Sequence, residues 1–201
     1  MKYFVSGIGT EIGKTVISAI LTEALNADYW KPIQAGDLEQ SDSIKVKNLI
    51  SNENSQIHPE SYRLKRPMSP HAAAEKEQLN IDLSSISLPN TLRPLIIEGA
   101  GGLLVPLNRK ECIIDLIKHL KLEVILVSKH YLGSINHTLL SVEALKSRNI
   151  PVKGIIFNGA PNHDTESIIL STTGLEMIAR IPTMDIINKQ GIKAMAKNIE
   201  L

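Results

Sequence analysis

The apolar run Tyr3-Phe4-Val5 leads directly into Gly7-Ile8-Gly9-Thr10-Glu11-Ile12-Gly13-Lys14-Thr15, a glycine-rich loop that ends in Gly-Lys-Thr. A strand, a tight loop and a helix must follow one another here, so that loop amides and the positive end of the helix dipole point at phosphate oxygens. In such a loop the Lys14 ammonium reaches the β- and γ-phosphates and the Thr15 hydroxyl faces Mg²⁺, which points to a nucleoside triphosphate as ligand. The spacing departs from G-x₄-G-K-[ST], because Gly7 stands one residue too early and only Gly13-Lys14-Thr15 is regular. Gly7 and Gly9 read as the residues that keep this longer front half pliable. A chance Gly-Lys-Thr in an ordinary turn is the plain alternative, but strand, loop and helix all fall where the motif needs them.

Further apolar runs suit strands covered by helices on both faces. They are Asp28–Trp30, Leu95–Ile97, Val124–Val127 and Gly154–Phe157. Helix-like spacing runs from Lys14 to Asn26, from Ile113 to Leu122 and from Ser134 to Ser147. This alternation predicts one doubly wound, mostly parallel α/β sheet of the P-loop NTPase kind, a single domain over residues 1–201. Residues 55–92 interrupt it with Pro59, Pro67, Pro70 and Pro89, and read as an excursion over one sheet edge. The polar tail from Asn188 is either a docked helix or a frayed end.

A chain of 201 residues holds one substantial core. A net charge of +1 and 3% aromatic residues leave little to hold nucleic acid or an anionic membrane. No apolar run approaches the ~18–20 residues of a membrane span. The N-terminus enters a strand at once, so no leader segment is expected, and the lone Cys112, unable to form an internal disulfide, fits a reducing cytoplasm.

Ligands of such sheets bind beyond the carboxyl ends of the strands. Lys31-Pro32-Ile33-Gln34-Ala35-Gly36-Asp37 follows the second strand and Glu98-Gly99-Ala100-Gly101-Gly102 the third. Ser128-Lys129-His130 and then Gly133-Ser134-Ile135-Asn136 follow the fourth, and Asn158-Gly159 the fifth. Glu98 ends a very apolar strand, where an unpaired carboxylate is costly. Mg²⁺, which takes one or two carboxylates beside phosphate oxygens, would offset that cost; a structural acid accepting backbone bonds is the other reading. Asp42 reads as a helix N-cap or first-turn acid ahead of metal binding. Lys31 is open between a phosphate-facing cation and a solvated surface lysine. The six histidines show no metal-ligand spacing, and His71 and His137 read as structural or helix-end residues. Cys112 reads as a buried thiol.

Taken together, GIGTEIGKT (7–15), KPIQAG (31–36), SDS (41–43), Ser69-Pro70-His71, EGAGG (98–102), LGSINHTLL (132–140), FNG (157–159) and IP (181–182) resemble the dethiobiotin synthetase family over nearly the whole chain. The lengthened phosphate loop is that family's variant. The resemblance implies an ATP-dependent ligase of biotin synthesis that joins 7,8-diaminononanoate and CO₂ into dethiobiotin, releasing ADP and phosphate. It implies Thr15, Asp42 and Glu98 as holders of Mg²⁺. Thr10, Glu11, Ile12, Gly13, Lys14 and Thr15 would cradle the triphosphate, with Gly99, Ala100 and Gly101 alongside. Lys14 and Lys31, with Thr10, would act on the transferring phosphoryl group. Asn158 and Gly159 would meet the adenine edge, and Pro182, Thr183 and Met184 would border the base. Lys31, Ala35, Ser69 and Pro70 would contact the substrate. Family members are homodimers, and Gly133, Ser134, Ile135 and Asn136 would take the carboxylate of the substrate held by the other subunit.

Two positions depart from the family pattern. Ala35 stands where many members have Ser or Thr, and Gly159 where many have an acid. A rival reading on the same fold is an ATPase switch of the partition and septum-site type, acting through dimerisation and partner binding. Those proteins carry an additional lysine early in the phosphate loop, and Ser6–Glu11 contains none.

Overall fold

The structure is a computed structural model describing residues 1–201. Strand β1 (Lys2–Gly7) lies between β6 (Leu95–Gly102) and β7 (Glu123–Lys129), all parallel. Outward from β6 come β2 (Asp28–Trp30) and β4 (Ile57–His58); outward from β7 come β8 (Val152–Asn158) and β9 (Met177–Ile181). The result is a seven-stranded sheet ordered β4-β2-β6-β1-β7-β8-β9. The chain winds both ways from β1, so the switch point, where such sheets open a crevice, falls at the end of β1 beside β6 and β7.

The side-chain period of two splits the core. Phe4, Ile97, Leu126 and Phe157 face one layer, and Tyr3, Val5, Ile96, Ile125 and Ile156 the other. Helix α1 (Lys14–Ala24) covers the second layer with Ile17, Ile20 and Leu21, aided by Val46 of α2 (Asp42–Leu49) and Ile192 of α7 (Lys189–Ala196). The first is covered by α3 (Pro70–Lys76), α4 (Ile113–His119), α5 (Ser134–Lys146) and α6 (His163–Thr173). The tail from Asn188 is therefore a docked helix, its first turn capped by the Asn188 side chain on the Gly191 amide.

Several boundaries differ from the pattern-based reading. The first helix stops at Ala24, because Asn26 adopts a left-handed conformation that turns the chain into β2. The helix from Ile113 ends at His119, with Lys121 left-handed just beyond it. Residues 55–92 do more than wander over an edge. They supply β4 to the main sheet and pair β5 (Tyr62–Leu64) with β3 (Ile33–Ala35) in a small parallel sheet. The buried Asp28 carboxylate closes this excursion at both ends, accepting from the Gln56 amide at 2.8 Å and the Thr91 hydroxyl at 2.6 Å. The Trp30 indole N–H holds the Pro59 carbonyl at 3.0 Å. The lone Cys112 is half-buried at the cap of α4, a correction to the buried thiol expected, and burial with nearby Asp115 pushes its pKa up. No helix is long and apolar enough to cross a membrane.

Candidate active site

The phosphate loop leaves β1 at the switch point and turns into α1 at Gly13. Gly13 has φ +91°, and a Cβ there would meet Asn158 Nδ2 at 2.3 Å, so no other residue fits without displacing a neighbour. In the front half, Gly7 is required by contact, since a Cβ would lie 2.1 Å from the Ile12 side chain. Gly9 has open space and an ordinary φ, whereas Glu11 takes the left-handed conformation. The loop's shape is therefore set by Gly7, Glu11 and Gly13 rather than by pliability at Gly9.

Lys14 is 8% exposed and folds back to donate to the Gly9 carbonyl at 2.9 Å. Burial lowers its pKa to about 8, with the Lys31 charge adding to the effect and Glu98 and Asp42 opposing it. Across the loop, five side chains converge. Thr15 donates to Glu98 Oε1 at 3.0 Å, and the Tyr29 hydroxyl to Glu98 Oε2 at 2.8 Å. The Lys31 ammonium sits between Glu98 Oε1 at 3.0 Å and Asp42 Oδ2 at 2.5 Å. Glu98 and Lys31 are buried, which disposes of the solvated-lysine reading. Burial opposes the charge on Lys31, but the two carboxylates outweigh it and raise its pKa; burial likewise opposes the Asp42 carboxylate, which Lys31 holds below the usual range. Tyr29 is pushed well above the usual phenol range by burial and by the Glu98 charge, so it stays a neutral donor.

Asp42 is a first-turn acid of α2 rather than its cap. The cap is Ser41, whose hydroxyl accepts from the Ile44 amide at 3.4 Å. The Gln34 carbonyl oxygen accepts from the Asp42 amide at 3.3 Å while its amide donates to the Gly36 carbonyl at 2.9 Å, tying the KPIQAG turn to α2.

A cavity of about 830 Å³ opens over this cluster. Its walls bring together Thr10, Glu11, Gly13, Lys14, Thr15, Lys31, Ala35, Asp42, Ser69, Pro70, Glu98, Ala100 and Gly101, most of the residues expected there. Ile12 and Gly99 lie beneath the wall; Gly99 lets β6 approach Phe4, which a Cβ would meet at 2.7 Å. Asn158 packs beside Gly13, and its amide nitrogen donates to the Ile12 carbonyl at 2.7 Å. It braces the phosphate loop with one N–H, which leaves its second N–H and its oxygen for a base. Gly159 is bonded to Ile181 at 2.8 Å, which carries Pro182, Thr183 and Met184 to the same side. Gly133, Ser134, Ile135 and Asn136 lie outside the cavity, at the start of α5.

Sequence reasoning missed Tyr29, Gln34 and Lys45 at this site. Tyr29 was within reach, because it lies two residues before Lys31 in an extended segment and so shares its face. His71 and His137 play local parts: the His71 amide donates to the Pro106 carbonyl at 3.2 Å, and His137 Nδ1 pairs with the Tyr131 hydroxyl at 2.8 Å. No group of three or more His, Cys, Asp or Glu side chains is placed to hold a metal.

A family model described as an AAA domain matches residues 1–190. The septum site-determining protein MinD complexed with Mg-ADP from Pyrococcus horikoshii superimposes with a TM-score of 0.60 at 15% identity, covering 97% of this chain and 86% of that one. That likeness concerns the fold alone. An ATP-dependent dethiobiotin synthetase from Christiangramia forsetii is 55% identical over 98% of this chain and 94% of its own length. One from Cytophaga hutchinsonii is 54% identical over 97% and 95%. Matched from end to end by such relatives, with its polar side chains gathered at the switch point of the sheet, the chain belongs to the ATP-dependent dethiobiotin synthetase family.

Proposed function

We propose that this chain uses ATP to carboxylate 7,8-diaminononanoate with CO₂ and close the ureido ring of dethiobiotin, releasing ADP and phosphate. One amine of the substrate captures CO₂ as a carbamate. A carbamate oxygen attacks the γ-phosphoryl group, and the second amine then displaces phosphate as the ring closes. The observation that carries this reading is the buried Lys31 ammonium held between Asp42 and Glu98 beside Lys14, which sets two cations where a phosphoryl group would transfer. The work of such a site is positioning and charge stabilisation.

Thr15, Asp42 and Glu98 offer the all-oxygen, two-carboxylate donor set that Mg²⁺ favours, within hydrogen-bond reach of one another or of a shared ammonium. When bound, the ion would neutralise charge on the phosphate oxygens. The protein's own contributions are Lys14 and Lys31 at the transferring group, Thr10 to Thr15 around the triphosphate, and Asn158 with Pro182–Met184 at the base. Ala35, Ser69 and Pro70 would line the substrate's path, and Asp37, on the same cavity wall, is the side chain able to replace a hydroxyl at position 35.

The chain would act as a homodimer in a cytoplasmic setting. For the homodimer, support comes from a groove of about 390 Å³ between Ile8, Leu103–Pro106 and α5, lined in part by the exposed Leu104 and Leu140. The amides of Ile135 and Asn136 have no acceptor at the start of α5, whose cap Gly133 lacks a side chain. They would take the substrate carboxylate of the other subunit.

ADP release measured with Mg²⁺, with and without 7,8-diaminononanoate and bicarbonate, tests the reading. Turnover should rise at least tenfold when both are present. Hydrolysis indifferent to the diamine would instead favour the ATPase-switch alternative.

A further inference from the structure

Residues 130–133, the turn ahead of α5, reach the rest of the fold through one side-chain hydrogen bond. Within residues 130–133 and the first turn of α5, the hydrogen bonds close on themselves: Ser134 N–H to the Tyr131 carbonyl at 2.9 Å, His137 N–H to the Gly133 carbonyl at 3.1 Å, and the Tyr131 hydroxyl to His137. The helix itself is tied to β7 through Thr138, which donates to the Ser134 carbonyl at 2.7 Å and pairs with the Ser128 hydroxyl at 2.9 Å; from the turn only His130 reaches out. Its Nε2 meets Glu166 Oε1 at 3.0 Å, and its ring stacks on Phe157 with centroids 5.4 Å apart and planes 22° apart. Its Nδ1 is buried without a partner, so the Nε2 bond is the ring's one polar attachment. Glu166, 4% exposed, is the hub. The same Oε1 accepts from Arg180 Nε at 2.9 Å and from the Asn162 amide at 3.3 Å, while Oε2 accepts from Arg180 Nη2. Arg180 precedes Ile181, whose carbonyl accepts from the Gly159 amide. One carboxylate thus joins the turn that opens α5 to the two strand ends that border the base.

We infer that His130 and Glu166 are positioning residues, setting the angle at which the free amides of Ile135 and Asn136 meet the substrate carboxylate. This rests on the reading of the α5 turn given above. An unanchored turn could pivot on Gly133, which is left-handed and has only the His137 ring near its Cβ position, at 3.9 Å. A misplacement of about 1 Å in such a contact is enough to cost on the order of a hundredfold.

Steady-state kinetics on the full chain, varying the diamine at saturating ATP, Mg²⁺ and bicarbonate, tests this. His130→Leu should raise the KM for the diamine by about tenfold or more, with kcat and the KM for ATP within about twofold. His130→Gln, which keeps a donor toward Glu166, should recover most of that loss. If His130→Leu does not fold, Glu166→Gln is measured in the same way and should shift the diamine KM in the same direction. An unchanged diamine KM, or an equal loss in every parameter that Gln does not rescue, would overturn the inference. Absence of diamine-dependent turnover in the unaltered protein would instead count against the proposed function.

Discussion

Lys31→Met is expected to be the most damaging single substitution in the site, costing about 3–5 kcal/mol of stability and at least about a thousandfold in turnover. The reason is the company Lys31 keeps. Its ammonium is the shared partner of two carboxylates, Glu98 being 1% exposed and Asp42 mostly covered. Without it, Glu98 keeps only the Tyr29 and Thr15 hydroxyls, and Asp42 a half-exposed Lys45 at 3.6 Å. The buried Glu98 and the mostly covered Asp42 then face each other without the ammonium that joined them. Denaturant unfolding should show the lost stability in the ligand-free protein. Added Mg²⁺ should restore more of it in the variant than in the unaltered protein, because the same oxygens become the only place for positive charge. A variant as stable as the parent, or one whose unfolding ignores Mg²⁺, would contradict this view of the cluster.

The second large effect is at Lys14. Lys14→Ala removes a cation aimed at the phosphates, and a loss of ~2.7–4 kcal/mol in transition-state stabilisation is expected, a factor of about 10²–10³ in kcat. Stability should change much less. Lys14 pairs with no carboxylate, its ammonium rests on the Gly9 carbonyl, and burial already works against its charge. The contrast between the two lysines is the sharper expectation: Lys31 supports both fold and chemistry, Lys14 mainly chemistry. Phosphate release at saturating ATP and diamine measures the difference, and near-parental turnover in Lys14→Ala would remove it from the reacting centre.

Much of this site is legible from the residues alone, for a local reason. Glu98 follows the apolar run Leu95–Ile97 within β6, which continues to Gly102 rather than ending there. Lys31 directly follows β2 and Thr15 lies in the first turn of α1, so a parallel sheet brings the three together once the strands are ordered. The lengthened phosphate loop stood out because a missing glycine register is visible in one dimension. Other features depend on contacts across the chain that no spacing encodes. Asn158 braces Ile12 from 146 positions away, which makes it part of the loop's support as well as a candidate for the base. The brace of His130, Glu166 and Arg180 joins three elements and has no motif. Helix α6 and strand β9 were missed because their apolar signal is thin: α6 buries only Glu166, Ile169 and Thr173, and β9 is a half-covered edge. The pairs β2–β4 and β3–β5 involve segments of two or three residues, too short for a period of two to declare itself.

In the proposed function, phosphoryl transfer at Lys14 and Lys31 drives carboxylation and ring closure of a diamine, rather than switching the chain between nucleotide states. Incubation with ATP, Mg²⁺, 7,8-diaminononanoate and ¹³C-bicarbonate, followed by carbon NMR and mass spectrometry of the small molecules, tests it most directly. Label is expected in the ureido carbonyl of a cyclised product, formed in step with ADP. ADP formed while the diamine is recovered unlabelled and uncyclised would contradict it.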